Sequence, residues 1–194
     1  MFLQRLLDLN SALIDAAVSL HQAGKIPANT WLYDLDTIGA NARIQASEAK
    51  RLGLTTYLMT KQIARNPMVA ATALANGIDK TVAVDMTCAH VLHRNGLPIG
   101  HIGQISQIPR RQVDQALRMR PDSITVYSVE AAEWISQRAV RLDLQQPLLV
   151  RVYGDDDIAF AGQEGGFHES EVVEAVGRIL RLPNVDVIGT TTFP

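Results

Sequence analysis

Hydrophobic positions fall in two rhythms along the chain. Over residues 1–24 they recur at steps of three and four, as in Leu6, Leu9, Leu13, Ala17 and Leu20. That is the spacing of an amphipathic helix, and Gly24 ends it. The stretch KIPANT that follows reads as a linker. From Trp31 onward short apolar runs alternate with amphipathic stretches. The runs are 31–36, 56–61, 81–86, 100–105, 123–128, 148–153 and 185–191. Helical stretches are predicted at about 37–52, 67–76, 87–95, 110–119, 129–142 and 168–181. Gly53, Gly77, Gly96, Pro109, Pro121 and Pro183 punctuate the joins. Strand–helix alternation of this kind predicts an α/β fold with a parallel sheet of βα units. The chain divides into an N-terminal helical segment and linker, 1–30, and an α/β unit, 31–194. Periodicity alone does not separate a barrel from an open doubly wound sheet.

Composition narrows the class. The chain has 194 residues, enough for one substantial core. With 47% hydrophobic and 20% charged residues it has the make-up of a soluble globular protein. A formal net charge of −2 gives no reason to expect a nucleic-acid or membrane partner. Arg110, Arg111, Arg118 and Arg120 read as one solvated helix face. Cys88 is the single cysteine, so an internal disulfide is impossible, and a reducing cytoplasm is the expected location. The first residues lack the pattern of a signal peptide.

The chemistry centres on one lysine. Of the four lysines, Lys25 falls in the linker, Lys50 near a helix end, and Lys80 just before a strand. Only Lys61 falls at the C-terminal end of a predicted strand, in TTYLMTKQIARNP. In parallel α/β folds that end faces the ligand. A desolvated lysine amine there can form a Schiff base with a carbonyl compound or with pyridoxal phosphate. The alternative is a lysine that extends into solvent from the sheet rim.

At this point a family resemblance enters. WLYDLDTIGANAR, followed after about twenty residues by TYLMTKQIARNP, resembles the opening of the alanine-racemase N-terminal domain. Those proteins are fold-type III pyridoxal-phosphate enzymes. The matching residues are Asp34, Leu35, Asp36, Asn41 and Lys61, and the likeness runs from about Trp31 to the last residue. MTKQIARNP and VRVYGDDD…GQEGGF look closer to the YhfX-type subgroup. The resemblance implies a TIM-like (β/α) barrel, with the cofactor held as a Schiff base on Lys61 and an amino acid as substrate. It implies that the freed Lys61 acts as a base at the α-carbon, as in racemisation. Arg65, four residues on, stands where the family places a tyrosine on the cofactor phosphate. An arginine brings a forked, fully charged grip to the same task. Thr192 stands at or beside the family's cofactor-facing histidine. Arg151, inside an apolar run, matches a basic position near the family's active site. Glu164 stands where the family has a substrate-binding arginine, a charge reversal that argues against simple alanine.

Other polar residues have weaker claims. Asp85, Gln104 and Tyr127 each end a predicted strand, and Tyr127 joins Arg151 as a substrate-side or supporting residue. Asn66 is a suitable N-cap before Pro67, so that helix N-terminus points at whatever Lys61 binds. Cys88 falls on a different helix face from His90 and His93, so no metal site is expected. Asp155, Asp156 and Asp157 read as a solvated turn.

Setting aside 31–36, six barrel strands are predicted, whereas a closed barrel needs eight and about 250 residues. The expectation is therefore a C-terminally truncated family member. It is either completed by a second chain, as a homodimer or with a complementing C-terminal polypeptide, or left as a non-catalytic cofactor-binding or scaffold remnant. A weaker alternative is a barrel enzyme that uses Lys61 without pyridoxal phosphate.

Overall fold

The computed structural model describes residues 2–158, 160–161 and 165–192. Helix α1, Phe2–Gln22, is interrupted at Asn10, whose backbone is non-helical (φ −156°, ψ 66°). The Asn10 carboxamide oxygen accepts the Leu13 N–H at 3.1 Å and so caps the second half. Its amino group donates to Asp34 Oδ2 at 2.6 Å, tying α1 to the start of helix α2, Leu35–Arg51. At the far end Gly24 adopts φ +67°, and Lys25 N–H returns to the Leu20 carbonyl.

The run 31–36 is not a strand, which corrects the expectation. Asp34 is the N-cap of α2, its side chain accepting the Thr37 N–H at 2.9 Å, and Leu35 and Asp36 already lie in the helix. An aspartate satisfies orphan helix N–H groups better than it suits a sheet.

The predicted alternation otherwise holds. Strands β1 (Tyr57–Met59), β2 (Lys80–Ala83), β3 (Ile99–Ile102), β4 (Ser123–Val126) and β5 (Gln146–Tyr153) pair in sequence order, all parallel. A two-residue strand, β6 (Phe167–His168), pairs with the end of β5, and β7 (Val185–Thr191) pairs with β5 from Gln146 to Arg151. The connecting helices are α3 (Pro67–Ala75), α4 (Met86–Arg94), α5 (Val113–Arg118), α6 (Val129–Leu142) and α7 (Val172–Ile179). Short 3₁₀ turns precede α3, at Lys61–Ile63, and α5, at Arg110–Gln112. Among the described residues the sheet is open, as expected of an incomplete barrel.

Several strands stop short of their predicted ends because the next residue caps a helix. Asp85 accepts the Cys88 N–H at 2.6 Å and Ser128 accepts the Ala131 N–H at 3.1 Å. Polar residues that look like strand ends are therefore helix starts.

Register sorts the sheet into two faces, because residues opposite one another on neighbouring strands share a face. One row joins Ala83 with Ile102, Ile124 and Leu148. These residues, with Val126 and Val150, form one core with Cys88, Ala89 and Leu92 of α4, Leu117 of α5, Ala132 and Ala139 of α6, and Ile179 of α7. Thr60, fully buried after β1, touches Cys88 Sγ at 3.4 Å. The opposite face carries Met59, Val82, His101 and Ser123 in register, then Thr125, Leu149 and Gly189, then Arg151 and Thr191. It is the more polar face, and its upper end is the C-terminal end of the strands.

The lower end of the sheet is locked by Tyr57. Its hydroxyl donates to Asp122 at 3.0 Å, and Lys80 Nζ meets the other Asp122 oxygen at 2.6 Å. The ring lies so close over Gly100 that a Cβ there would stand 2.5 Å from a ring carbon. Of the basic cluster, Arg110 packs its guanidinium over Trp134 of α6 at 5.2 Å, pinning the start of α5.

Candidate functional site

Lys61 follows β1 directly. It opens the 3₁₀ turn at the C-terminal end of the strand, with an exposed side chain. Thr60 turns inward to Cys88, which leaves Lys61 at the rim of the sheet. The turn is tight. Ile63 and Arg65 N–H both reach the Thr60 carbonyl, and Ala64 N–H reaches that of Lys61. Ala64 (φ +51°) and Arg65 (φ +60°) are consecutive left-handed residues without being glycine. Such conformations cost free energy and cluster at functional sites.

This strained turn aims Arg65 at Asp85. Arg65 Nη2 lies 3.5 Å from Asp85 Oδ2, while Asp85 Oδ1 caps α4. Asp85 thus orients Arg65 as well as the helix. Arg65 Nε is buried and has no hydrogen-bond partner among the described residues. A buried guanidinium N–H without a partner is an exception in folded proteins, whose buried donors are nearly all paired. Lys61 supplies an accessible amine, so amine and anion-grip come from one five-residue turn. These groups fit the aldehyde and the anionic end of pyridoxal phosphate.

The helix N-terminus after Lys61 is not free. Asn66 does cap α3, but its Oδ1 accepts the N–H groups of Met68 at 3.0 Å and Val69 at 3.3 Å. Those donors are spent on the cap.

Arg151 and Tyr127 come together at the top of the polar face. Arg151 lies in β5 at 7% exposure, in register with Thr191. Tyr127, buried after β4, donates its hydroxyl to the carbonyls of Gly103 and Gln104, each at 3.1 Å. It therefore ties the β3–α5 loop to β4. Burial pushes its phenol up, and the nearby Arg151 charge partly offsets this. Gly166 (φ +118°) seats directly on Arg151: a Cβ there would lie 2.5 Å from Arg151 Cγ and 2.7 Å from its carbonyl oxygen. The last glycine of GQEGGF thus covers an arginine side chain. Glu164 lies outside the described residues.

Thr191, not Thr192, is in register with Arg151; Thr192 follows the strand and is exposed. Both border a cavity of about 510 Å³ with Tyr153, Asp155, Asp156, Asp157 and Glu169. Within the aspartate turn, Asp157 accepts Gly154 N–H and Asp155 meets His168 Nε2 at 3.1 Å. Among the described residues no group of three metal-ligating side chains is gathered. Gln104 contributes its backbone carbonyl alone to the contacts above.

His101 escaped sequence reasoning. It lies in β3, 3% exposed, with Nδ1 2.8 Å from Ser123 Oγ and Nε2 2.9 Å from Thr125 Oγ1. Burial pushes its pKa down to about 4, so the ring is neutral. The available signal was period two: His101, Ser123 and Thr125 alternate with the apolar positions of their strands.

A family model described as alanine racemase, N-terminal domain, matches residues 33–194. The curated Escherichia coli (strain K12) protein described as uncharacterized protein YhfX is 42% identical over 194 residues, spanning 100% of this chain and 50% of that protein. The chain thus spans about half the length of the curated relative it matches. Among solved structures, D-threonine aldolase from Filomicrobium marinum superposes with a TM-score of 0.69 at 15% identity, over 86% of this chain and 44% of that one. Diaminopimelate decarboxylase from M. jannaschii in co-complex with L-lysine gives 0.71 at 12%, over 90% and 44%. Alanine racemase of Clostridium difficile 630 in complex with cycloserine gives 0.59 at 18%, over 88% and 46%. At these identities the structures show the fold alone. No helix among the described residues is long and apolar enough to cross a membrane. With the family model covering nearly all of the α/β unit, the chain belongs to the alanine racemase N-terminal domain family, a family of fold-type III pyridoxal-phosphate enzymes.

Proposed function

We propose that this chain is the lysine-bearing half of an amino-acid racemase-like pyridoxal-phosphate protein of the cytoplasm, with Lys61 as the covalent anchor. The observation that carries the reading is the turn after β1, where the exposed Lys61 amine stands four residues before an arginine with a buried, unpartnered N–H. When bound, pyridoxal phosphate supplies an electron sink for a carbon next to an amino group. The chain's own residues do the rest. Lys61 holds the aldehyde end and, once released, takes or returns a proton at the substrate α-carbon. Arg65, steadied by Asp85, grips an anionic oxygen. Arg151, buried beneath Gly166 and beside Tyr127, is a supporting residue of the polar face. Thr191 and Thr192 line the same rim. The amino-acid class of substrate is carried over from relatives whose names specify amino-acid chemistry.

A second reading is a protein that holds the cofactor without turnover. It is favoured by Tyr127, whose proton is committed to two backbone carbonyls, so it is not a free second base.

The test is direct. Pyridoxal phosphate is added to the purified chain, the visible absorption band recorded, the adduct reduced with borohydride and mapped by peptide mass spectrometry. The expected result is modification at Lys61, absent in Lys61→Ala. Label spread over Lys25, Lys50 and Lys80 would sink the proposal. Chiral chromatography of amino acids incubated with the loaded protein separates the two readings.

A further inference from the structure

We propose that Thr60 and Cys88 are positioning residues for Lys61 and Arg65: their buried contact closes a ring that holds the Lys61–Arg65 turn against helix α4. This deepens the reading above and rests on it, because it names the groups that aim the amine and the guanidinium.

The strand leaves the turn with little support of its own. β1 has three residues, and its last ladder pair is Met59 with Val82. Lys61 lies beyond that pair, in a turn where Ala64 and Arg65 both hold left-handed backbones. Strained conformations of this kind persist only where the surroundings over-determine them.

A ring of four contacts does so, and it closes on itself. The Thr60 carbonyl accepts the Arg65 N–H at 2.9 Å. Arg65 Nη2 lies 3.5 Å from Asp85 Oδ2. Asp85 Oδ1 accepts the Cys88 N–H at 2.6 Å. Cys88 Sγ lies 3.4 Å from Thr60 Oγ1, one of the two donating to the other. The Ile63 N–H, at 3.2 Å from the Thr60 carbonyl, braces the turn from inside. The ring carries the end of β1 onto the first turn of α4, and Lys61 sits in the segment it spans.

The chemistry of the Thr60–Cys88 contact favours aiming over filling. Both residues are 0% exposed. A pair of apolar side chains fills such a space without a hydroxyl that needs a partner. A hydroxyl against a thiol adds direction. It fixes the inward turn of Thr60, and with it the carbonyl that clamps Arg65 and the outward turn of Lys61. Sulfur is a weak hydrogen-bonding atom, so this is the contact at which the ring opens first. Cys88 acts only through Thr60 and Asp85.

The test uses the full 194-residue chain without cofactor and reads amide hydrogen exchange at Ile63 and Arg65. Rates are normalised to the Ile135 and Ala139 amides of α6, so a change in global stability cancels. In Thr60→Val and in Cys88→Ala, the two turn amides should exchange at least about fivefold faster, the worth of one net hydrogen bond. The double variant should add little, because either change alone opens the ring. Thr60→Ser and Cys88→Ser keep the contact and should exchange like the parent. If Thr60→Val fails to fold, Cys88→Ala reads the same contact. Unchanged exchange at Ile63 and Arg65 overturns the proposal. So does equal acceleration in Ile124→Val, a core change in β4 away from the ring. A second readout is the preference of Lys61 for pyridoxal phosphate over pyridoxal in competitive labelling. It should fall in Thr60→Val and Cys88→Ala, hold in the two serine variants, and hold in Ile124→Val. An unlabelled Lys61 in the parent chain would overturn the cofactor reading, and the positioning role with it. Fast exchange in the variants beside a labelled parent with unmoved preference would overturn the positioning role alone.

Discussion

His101 makes the stability of this fold depend on pH in a calculable way. Its ring is held between two hydroxyls, Ser123 and Thr125, with no carboxylate among its hydrogen-bond partners to welcome a second proton. Ser123 Oγ also donates to the Gly100 carbonyl, so it accepts from Nδ1–H and leaves Nε2 to accept from Thr125. Protonation breaks that arrangement and buries a charge. The pKa falls from the ordinary 6.5 to about 4. A histidine whose folded pKa is lowered binds fewer protons folded than unfolded, so its contribution is complete above pH 6.5 and is lost as pH falls towards 4. Linkage gives a loss of about 2 kcal/mol by pH 5 and about 3 kcal/mol by pH 4. The assay is urea denaturation from pH 7.5 to 4.5 on the parent chain and on His101→Gln. Subtracting the two curves removes the shared titration of surface carboxylates. The stability gap between them should move in the variant's favour by about 2 kcal/mol between pH 7 and 5. Parallel curves, or an NMR titration of His101 near 6.5, would refute the reasoning.

Three other expectations follow from the site. Gly166→Ala places a methyl against the Arg151 backbone oxygen at a positive φ, so it should cost about 2–4 kcal/mol in urea melts, more than Gly24→Ala, where space is open. Asp85→Ala should lose about 1 kcal/mol of stability as the α4 cap goes, whereas Asp85→Asn keeps the cap. Both should loosen Arg65, read as weaker pyridoxal-phosphate labelling of Lys61 at limiting cofactor. Arg65→Ala should erase most of the preference of Lys61 for pyridoxal phosphate over unphosphorylated pyridoxal in competitive labelling; an unchanged preference would remove Arg65 from the site.

The alternation of apolar runs with amphipathic stretches was enough to read the parallel sheet, because buried strands and half-buried helices leave different periods. Boundaries were less legible. WLYDLD has the apolar content of a strand, yet Asp34 starts a helix, because its side chain caps the N–H of Thr37. Asp85 and Ser128 misled in the same way. Lys61 was legible through its place at a strand end, and Arg151 through the oddity of a charge inside an apolar run. The Arg65–Asp85 pair was not, because twenty residues separate its members and only the parallel pairing of β1 with β2 brings them together. The β6 strand was also invisible, its two residues being too few for any period.

The distribution of helix caps bears on which end of the cofactor this half can hold. A phosphate commonly rests on the free N–H groups of a helix start. At the rim of this sheet those groups are already taken: Asn66 fills the start of α3, Asp85 that of α4, and Ser128 that of α6. A phosphate would have to displace each cap, forfeiting about 1 kcal/mol apiece. Helices α5 and α7 lack a side-chain cap, but Asp114 lies in the first turn of α5, Glu171 precedes α7 and Glu174 lies in its first turn, and these carboxylates repel an anion. Arg65 is then the anion donor nearest to Lys61 in sequence, and one guanidinium grips a single oxygen pair. Under the function proposed above, the described residues serve the amine end of the chemistry through Lys61 and the neighbouring Arg65.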